Sequence, residues 1–369
     1  MGLYLKIKAV TWARESHGLF DYDSSNTVQE VIKVYESGSL IRKGTEILFY
    51  NQTMSPSDGK ILNICEKSEE FMLCPIKDQP LGLVIRHLKS CDTKGFRINT
   101  GDIIKLGKVS MKILETHECY KIKQDDINEC EGSNMGEICC RICFRTHNNS
   151  IDPLLSLCDC SGTLALTHYF CLQKWAMSKC IKKLNSHSLT YCWKNTDCEI
   201  CKKPIPLKFK YEDNDYNLID IPKPQGLYMI LEDSRKDKFK HLVHVLTPNL
   251  TPLSLGRSSE CDLKVNDISV SRSHAIIETF SNKFYIRDNF SKFGTLVIIT
   301  KPLALRVNEP VSIQISKTVL NITMKKKNNV FQCLKCCKNR VGQEPMLRRR
   351  TEIPWEELSL QSPHSQFEN

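Results

Sequence analysis

Leu3, Leu5, Ile7 and Ala9 alternate with Tyr4, Lys6, Lys8 and Val10, the period of two that marks a half-buried strand. A second strand is expected around Leu19 to Tyr22. Thr27 and Glu30 have the spacing of a capping box, and Val28, Val31, Ile32 and Tyr35 recur at helical intervals up to Gly38, so a short amphipathic helix is expected there. From Ile47 to Cys74 the pattern gives a strand, a polar turn, a short apolar stretch and a last strand. Gly82 to Glu115 is again strand-like. There RINTGDIIKLGKVSMKIL lines up with RVNEPVSIQISKTVLNIT, pairing Arg97 with Arg306, Asn99 with Asn308 and Lys108 with Lys317 as a degenerate internal repeat. About forty residues cannot make a sandwich alone, so this segment is expected to pack on a neighbour.

Two strands, a helix and further strands within residues 1–76 resemble the ubiquitin-like β-grasp fold. No diglycine follows Cys74, so such a domain could be read by partners but not conjugated through its own end. Residues 77–118 form a β-rich, FHA-like segment, and the acidic stretch 119–136 reads as a linker.

Between Cys140 and Cys201 the chain runs CRIC, CDC, HYFC and CEIC, with seven residues between Cys160 and His168. Zinc takes four thiolate or imidazole ligands in a tetrahedron, and a CxxC or HxxC turn brings two of them onto one ion. Eight ligands mean two ions. Metal binding worth on the order of 10 kcal/mol per structural site is expected to supply folding energy that a thin apolar core lacks. Cys139 and Cys192 are read as spare thiols.

This order of seven cysteines and one histidine, with CDCSG and CLQKW around it, resembles the RING-CH (RING-variant) domain over residues 137–207. A PHD finger shares the ligand order but expects an aromatic two residues before the seventh ligand, where this chain has Thr196. The resemblance implies a cross-brace in which Cys140, Cys143, His168 and Cys171 hold one zinc and Cys158, Cys160, Cys198 and Cys201 the other. It also implies ubiquitin-ligase activity without a nucleophile of the domain's own. Ile142, Trp175 and Pro204 would contact a ubiquitin-conjugating enzyme, and Lys202 would stand where many RING domains carry a bridging cation, although lysine lacks the planar fork of arginine.

Residues 226–326 read as short strands with turns between, the pattern of a β-sandwich. Within them LGRSSECDLKVNDISVSRSHAII and FYIRDNFSKFGT resemble the forkhead-associated (FHA) domain, which docks phosphothreonine. The resemblance implies that Gly256, Arg257, Ser271 and Arg272 form the phosphate loops and that His274 braces them. It departs at Phe293, where the family has an asparagine that grips the peptide backbone.

The 369 residues are 41% apolar and 25% charged, an ordinary globular composition for a multidomain α+β chain. The formal charge of +10 looks like a nucleic-acid signal until it is located. Lys325 to Arg350 holds nine basic residues against Glu344, a local +8, so the remainder carries +2 and nucleic-acid binding is not expected. The basic tail, 327–369, reads as a solvated, disordered run. Its other readings are a nuclear address, an acidic partner, or membrane contact through acylation of Cys333, Cys336 and Cys337. Nineteen cysteines with no signal peptide and no transmembrane run fit an intracellular protein, cytoplasmic or nuclear. The function expected is a phosphothreonine-docking ubiquitin ligase with two zinc ions; a non-catalytic zinc-binding phosphoprotein adaptor is the alternative.

Overall fold

The computed structural model describes residues 2–14, 18–51, 58–67, 70–77, 79–85, 95–117, 138–193, 196–233, 241–248 and 251–326. The linker 119–136 and the tail 327–369 lie outside these residues. The first third of the chain forms β1 (Leu3–Trp12), β2 (Thr27–Val34), β3 (Gly38–Lys43), β4 (Glu46–Asn51), β5 (Lys60–Lys67), β6 (Glu70–Cys74), β7 (Leu81–Val84), β8 (Phe96–Arg97), β9 (Ile103–Leu106) and β10 (Val109–His117). The cysteine-rich third holds β11 (Leu154–Leu155), β12 (Thr167–His168), helix α1 (Tyr169–Ser178), and two hairpins, β13 (Cys180–Leu184) with β14 (Ser188–Trp193) and β15 (Lys208–Tyr211) with β16 (Asn214–Asn217). The last third contributes β17 (Tyr228–Asp233), β18 (His241–Leu246), β19 (Leu253–Gly256), β20 (Leu263–Lys264), β21 (Ala275–Phe280), β22 (Lys283–Asp288), β23 (Thr295–Ile299), β24 (Leu303–Ala304), β25 (Pro310–Ile315) and β26 (Thr318–Lys326).

One long sheet runs β13-β14-β18-β17-β10-β9-β23-β7-β25-β26-β1-β2, and two five-stranded sheets, β20-β19-β21-β22-β8 and β24-β6-β5-β3-β4, pack on it. The order is palindromic about the antiparallel pair β23 and β7, where Val297 opposes Leu83. Two sandwiches therefore share the sheet, and each has exchanged its last strands with the other. β9 and β10 come from the first third but pair with β23 and β17, while β25 and β26 come from the last third but pair with β7 and β1. The cores confirm the exchange. One gathers Ile104, Leu106, Met111 and Ile113 with Leu231, Leu255, Ile277 and Phe284; the other gathers Leu5, Ile7, Leu62 and Phe71 with Ile313, Leu320 and Ile322. The internal repeat has its structural meaning here: Lys108 and Lys317 occupy the turns of the two equivalent hairpins, β9–β10 and β25–β26.

The β-grasp expectation for residues 1–76 is not met. Thr27–Val34 is not a helix but the edge strand β2, paired with β1 from Leu5↔Val34 to Trp12↔Thr27. Five of its eight residues are β-branched, which favours extended backbone, and Glu30, placed for a capping box, accepts the Ile47 N–H instead (2.7 Å). Leu19 to Tyr22 is irregular chain rather than a strand; Leu19 and Phe20 are buried, and Tyr22 donates its N–H to Lys292 O. The chain is predominantly β, with α1 the one α-helix among the described residues, so α+β describes it loosely. Likewise, residues 226–326 do not close on themselves as one sandwich, because β24, β25 and β26 pair with the amino-terminal third.

Candidate metal centre and phosphate loops

The two knuckles that carry paired cysteines are built alike. In the first, Cys140 N–H donates to Arg145 O and Phe144 N–H to Cys140 O (3.0 and 2.8 Å); in the second, Cys198 N–H donates to Lys203 O and Lys202 N–H to Cys198 O (2.8 and 3.0 Å). In both, the residue after the second cysteine takes a left-handed backbone, Phe144 at φ 60 and Lys202 at φ 63. His168 closes β12, which pairs with β11, and Cys171 lies in the first turn of α1, whose buried face is Leu172 and Ala176.

These elements bring Cys140, Cys143, His168 and Cys171 into one group and Cys158, Cys160, Cys198 and Cys201 into another, with the ligand atoms of each group within 4.8 Å of one another. The interleaving is that of a cross-brace. Cys160 and Cys198 Sγ stand 3.8 Å apart, the edge of about 3.8 Å that a tetrahedron with ~2.3 Å zinc–sulfur bonds requires. In the first group His168 Nδ1 faces Cys143 Sγ (3.2 Å), and Nε2 donates to His147 O (2.6 Å), which fixes the tautomer that leaves Nδ1 free to ligate. Cys139 and Cys192 lie outside both groups.

The acidities fit the same reading. Burial opposes ionisation of Cys140 and Cys198, but backbone N–H groups, those of Cys143, His168 and Ile142 on the one and of Cys201 and Ile200 on the other, outweigh it and bring the thiols down to about 7 and about 6. Cys171 and Cys160 are pushed the other way, to about 12, by burial and neighbouring thiols. Three thiols in one group and four in the other cannot all ionise unaided; a divalent cation at each centre would let them.

Two contributors were not apparent from the sequence. Arg141, inside the first CxxC, donates to the sulfurs of Cys158, Cys160 and Cys198 of the other group (3.7, 3.4 and 3.7 Å) and to Leu164 O (2.9 Å). The His147 ring stacks on His168 at 3.8 Å and is held by Asp152 (3.0 Å). A cation lodged between two ligand cysteines was the available signal for Arg141; nothing local pointed to His147.

Of the residues expected at an enzyme-binding face, Ile142 is exposed (43%), Pro204 and Lys202 are exposed, and Trp175 is half-buried against Leu155, Leu172 and Ile205. Glu199, between the ligands Cys198 and Cys201, gathers part of this face. Its carboxylate accepts from Trp175 Nε1 (3.5 Å) and pairs with Lys179, and its carbonyl accepts from Lys202 Nζ (2.8 Å).

The loops expected to hold phosphate join β19 to β20, β20 to β21 and β22 to β23. Arg257 N–H donates to Ser271 O and Ser258 N–H to Arg272 O, tying the first two together (2.9 and 3.0 Å). A Cβ at Gly256 would meet Arg272 O at 2.2 Å, so this approach needs glycine. His274, fully buried, accepts the Ser271 N–H on Nδ1 (3.0 Å) and donates from Nε2 to Gly294 O (3.2 Å). It thereby ties Ser271 to Gly294, and burial lowers its pKa. Arg257 and Arg272 are exposed, and Ser271 Oγ accepts the Lys292 N–H (3.1 Å). Phe293 is half-buried beneath Lys292, whose ammonium lies 5.7 Å from its ring. Ile268 and Phe290, exposed at 93% and 85%, stand on two of the same loops. Neither lies at a position that a motif in the sequence marks.

The metal-binding segment is bolted to these loops. β14 pairs with β18 from Ser188↔Leu246 to Trp193↔His241, making the hairpin the end of the long sheet. At its tip Asn185 Nδ2 (3.1 Å) and Ser188 Oγ donate to Asp262 O, and His187 meets Asp262 Oδ1 (2.9 Å), while Asp262 Oδ2 accepts from Ser254 N–H and Oγ (2.9 and 2.8 Å). At its base the buried Trp193 donates from Nε1 to Ala176 O of α1 (2.8 Å).

Residues 140–201 match the RING-variant domain family and residues 253–315 the FHA domain family. The chain carries both domains. Among curated proteins it is similar to the E3 ubiquitin-protein ligase MARCHF7 of Pongo abelii, 26% identical over 165 residues, covering 42% of this chain and 20% of the relative. The E3 ubiquitin-protein ligase marc-3 of Caenorhabditis elegans is 33% identical over 110 residues, 28% of this chain and 21% of the relative. MARCHF2 of Xenopus tropicalis, another E3 ubiquitin-protein ligase, is 38% identical over 69 residues, 18% and 24%. The chain thus spans about a fifth of the length of these relatives. No solved structure matches it. The FHA match runs across the strand exchange: its residues up to Ile299 lie in one sandwich and β24 and β25 in the other. Among the described residues no helix is long and apolar enough to cross a membrane.

Proposed function

We propose that this chain is a zinc-dependent ubiquitin ligase that docks phosphothreonine-containing proteins beside the conjugating enzyme it recruits. The observation that carries the first half is the interleaved set of eight ligands inside a RING-variant domain. Zinc held by those residues supplies shape. With four protein ligands in each group, a bound zinc would have no position left for water or substrate, so the domain would act by positioning. Ile142, Trp175 and Pro204 form the apolar contact for the conjugating enzyme, with Trp175 anchored by Glu199. Lys202 is turned back onto Glu199 O, so the bridging role would require it to release that bond. Holding a ubiquitin thioester in a reactive pose lowers the barrier by orientation, without a nucleophile from this chain.

The second half rests on the FHA loops. Arg257 and Arg272 provide exposed cations beside the Ser271 hydroxyl, the complement of a phosphate carrying nearly two charges. With Phe293 in place of a polar peptide grip, Ile268 and Phe290 give the peptide an apolar contact instead, so selectivity would favour hydrophobic residues flanking the phosphothreonine.

The test of ligase activity is reconstituted ubiquitin-chain formation with zinc-loaded protein and a panel of conjugating enzymes. Wild type should make chains, and Trp175→Ala should lose them while retaining two zincs. Absence of chains with every enzyme, at full zinc content, would instead favour the non-catalytic adaptor.

A further inference from the structure

The outer face of the long sheet has a cleft of about 340 Å³ where the two sandwiches meet. On β9, Ile104 and Leu106 point into the core, which puts Ile103 and Lys105 on the opposite, cleft-lining face. Leu296 and Ile298 of β23 complete an apolar floor, and Ser110 and Gln314 add polar atoms at its edge. Gln314 is the counterpart of Lys105 in the other sandwich: β9 pairs Lys105 with Leu296, and β25 pairs Gln314 with Gly82 across the same pseudo-twofold. The two positions have diverged. Gln314 is fully engaged, its Oε1 accepting from the Tyr22 hydroxyl (3.0 Å) and its Nε2 donating to Ser316 O (3.1 Å).

Lys105 has neither a hydrogen bond nor an ion pair among the described residues, and no carboxylate influences it; burial alone lowers its pKa. A half-buried ammonium without a counter-charge is unfavourable for a fold to keep, whereas even exposed lysines here find carboxylates, as Lys208 does in Glu232 and Lys223 in Glu115. A lone cation over an apolar floor is half of a recognition pair. From this geometry we infer that the cleft is a binding site for a small amphiphilic monocarboxylate, whose carboxylate pairs with Lys105 and whose short apolar tail lies on Leu296, Ile298 and Ile103. A single ammonium matches one negative charge rather than two, and a charge-assisted hydrogen bond in partly desolvated surroundings gives direction to an otherwise greasy contact. The volume is at the lower end of small-ligand pockets, about 300–1,000 Å³, which fits a medium-chain acid.

The test is a calorimetric titration of the full, zinc-loaded chain with octanoate, with octan-1-ol as the uncharged comparator. Wild type should bind octanoate saturably and octanol at least ~10-fold more weakly, the ratio expected of one charge-assisted hydrogen bond. Lys105→Met should reduce octanoate affinity by a similar factor while melting at no lower temperature, since it removes an unpaired charge. Ile298→Trp, which fills the floor and leaves Lys105 intact, should also abolish binding. The inference is overturned if wild type shows no saturable binding, if octanol binds as tightly as octanoate, or if folded Lys105→Met binds octanoate unchanged.

Discussion

Arg257 and His274 sit one loop apart and do different work. Arg257 is exposed, and its N–H and Nε bonds to Ser271 O and Val270 O (2.9 and 3.3 Å) hold it at the mouth of the loops. Arg257→Ala should therefore lower affinity for a phosphothreonine peptide by about 1.5–3 kcal/mol, the value of a hydrogen bond to a charged group, with little change in folding stability; calorimetric titration of wild type and variant checks this. His274 is buried and neutral, with its pKa lowered below the ordinary 6.5. As pH falls below 6.5 the unfolded chain takes up a proton that the native histidine refuses, so the stability due to neutral His274 is complete above 6.5 and declines with acidification. Denaturant midpoints from pH 7.5 to 5 should show that decline in wild type and a shallower one in His274→Gln, which starts lower by about 1–3 kcal/mol for its lost buried hydrogen bonds. At this scale the sequence was informative. The eight metal ligands, Arg257, Ser271 and His274 all fall in short spaced motifs. Arg141 carried a signal in its place between two ligand cysteines, whereas His147 and Asp262 were not legible as contributors, because what they brace, His168 and the hairpin tip, lies on other elements.

Among the elements, the hairpin β13–β14 carries the most consequence. It lies between α1 and the last zinc knuckle, extends the sheet of the carboxy-terminal sandwich, and touches the loop that starts at Arg257. Trp193→Ala empties a fully buried site and removes the bond to Ala176 O, and should cost about 3–5 kcal/mol, read as a fall in denaturant midpoint. Asp262→Ala frees the hairpin tip from the phosphate loop; it should weaken phosphopeptide binding while leaving zinc stoichiometry at two, measured by calorimetry and metal analysis on the same sample. The hairpin was missed because its pairing partner, β18, lies some fifty residues downstream. The helix expected over Thr27 to Tyr35 failed for a different reason. Val28, Val31, Ile32 and Tyr35 fit a helical period, yet once β1 offers an unpaired edge, β-branched side chains favour the extended form.

For the whole molecule, the strand exchange makes a modular reading of the chain incomplete. Residues 226–326, taken alone, lack β8, β9 and β10 and leave the β25–β26 hairpin without its outer partners β7 and β1. That segment should fail to fold by itself, whereas two co-expressed pieces, 1–128 and 129–326, should copurify in equal amounts through the exchanged strands; size exclusion and heteronuclear NMR would decide both. The internal repeat hinted at two equivalent hairpins. It could not say which sandwich each would join, since equivalent strands present the same alternation to either partner. The exchange also means that the amino-terminal third completes the carboxy-terminal sandwich: the Lys108 N–H donates to Ser269 Oγ (2.8 Å) and so supports a phosphate loop. The hairpin β13–β14 holds the zinc-binding segment against the same loops, so under the proposed function a phosphothreonine docked at Arg257 would present its protein to the conjugating enzyme in a defined orientation. The most direct test is ubiquitin transfer to one substrate in phosphorylated and unphosphorylated form, using zinc-loaded wild type and Arg257→Ala with an enzyme that supports chain formation. Preferential modification of the phosphorylated substrate by wild type, lost in Arg257→Ala while its substrate-independent chain formation is unchanged, is the predicted result; equal modification of both forms by wild type would contradict the account.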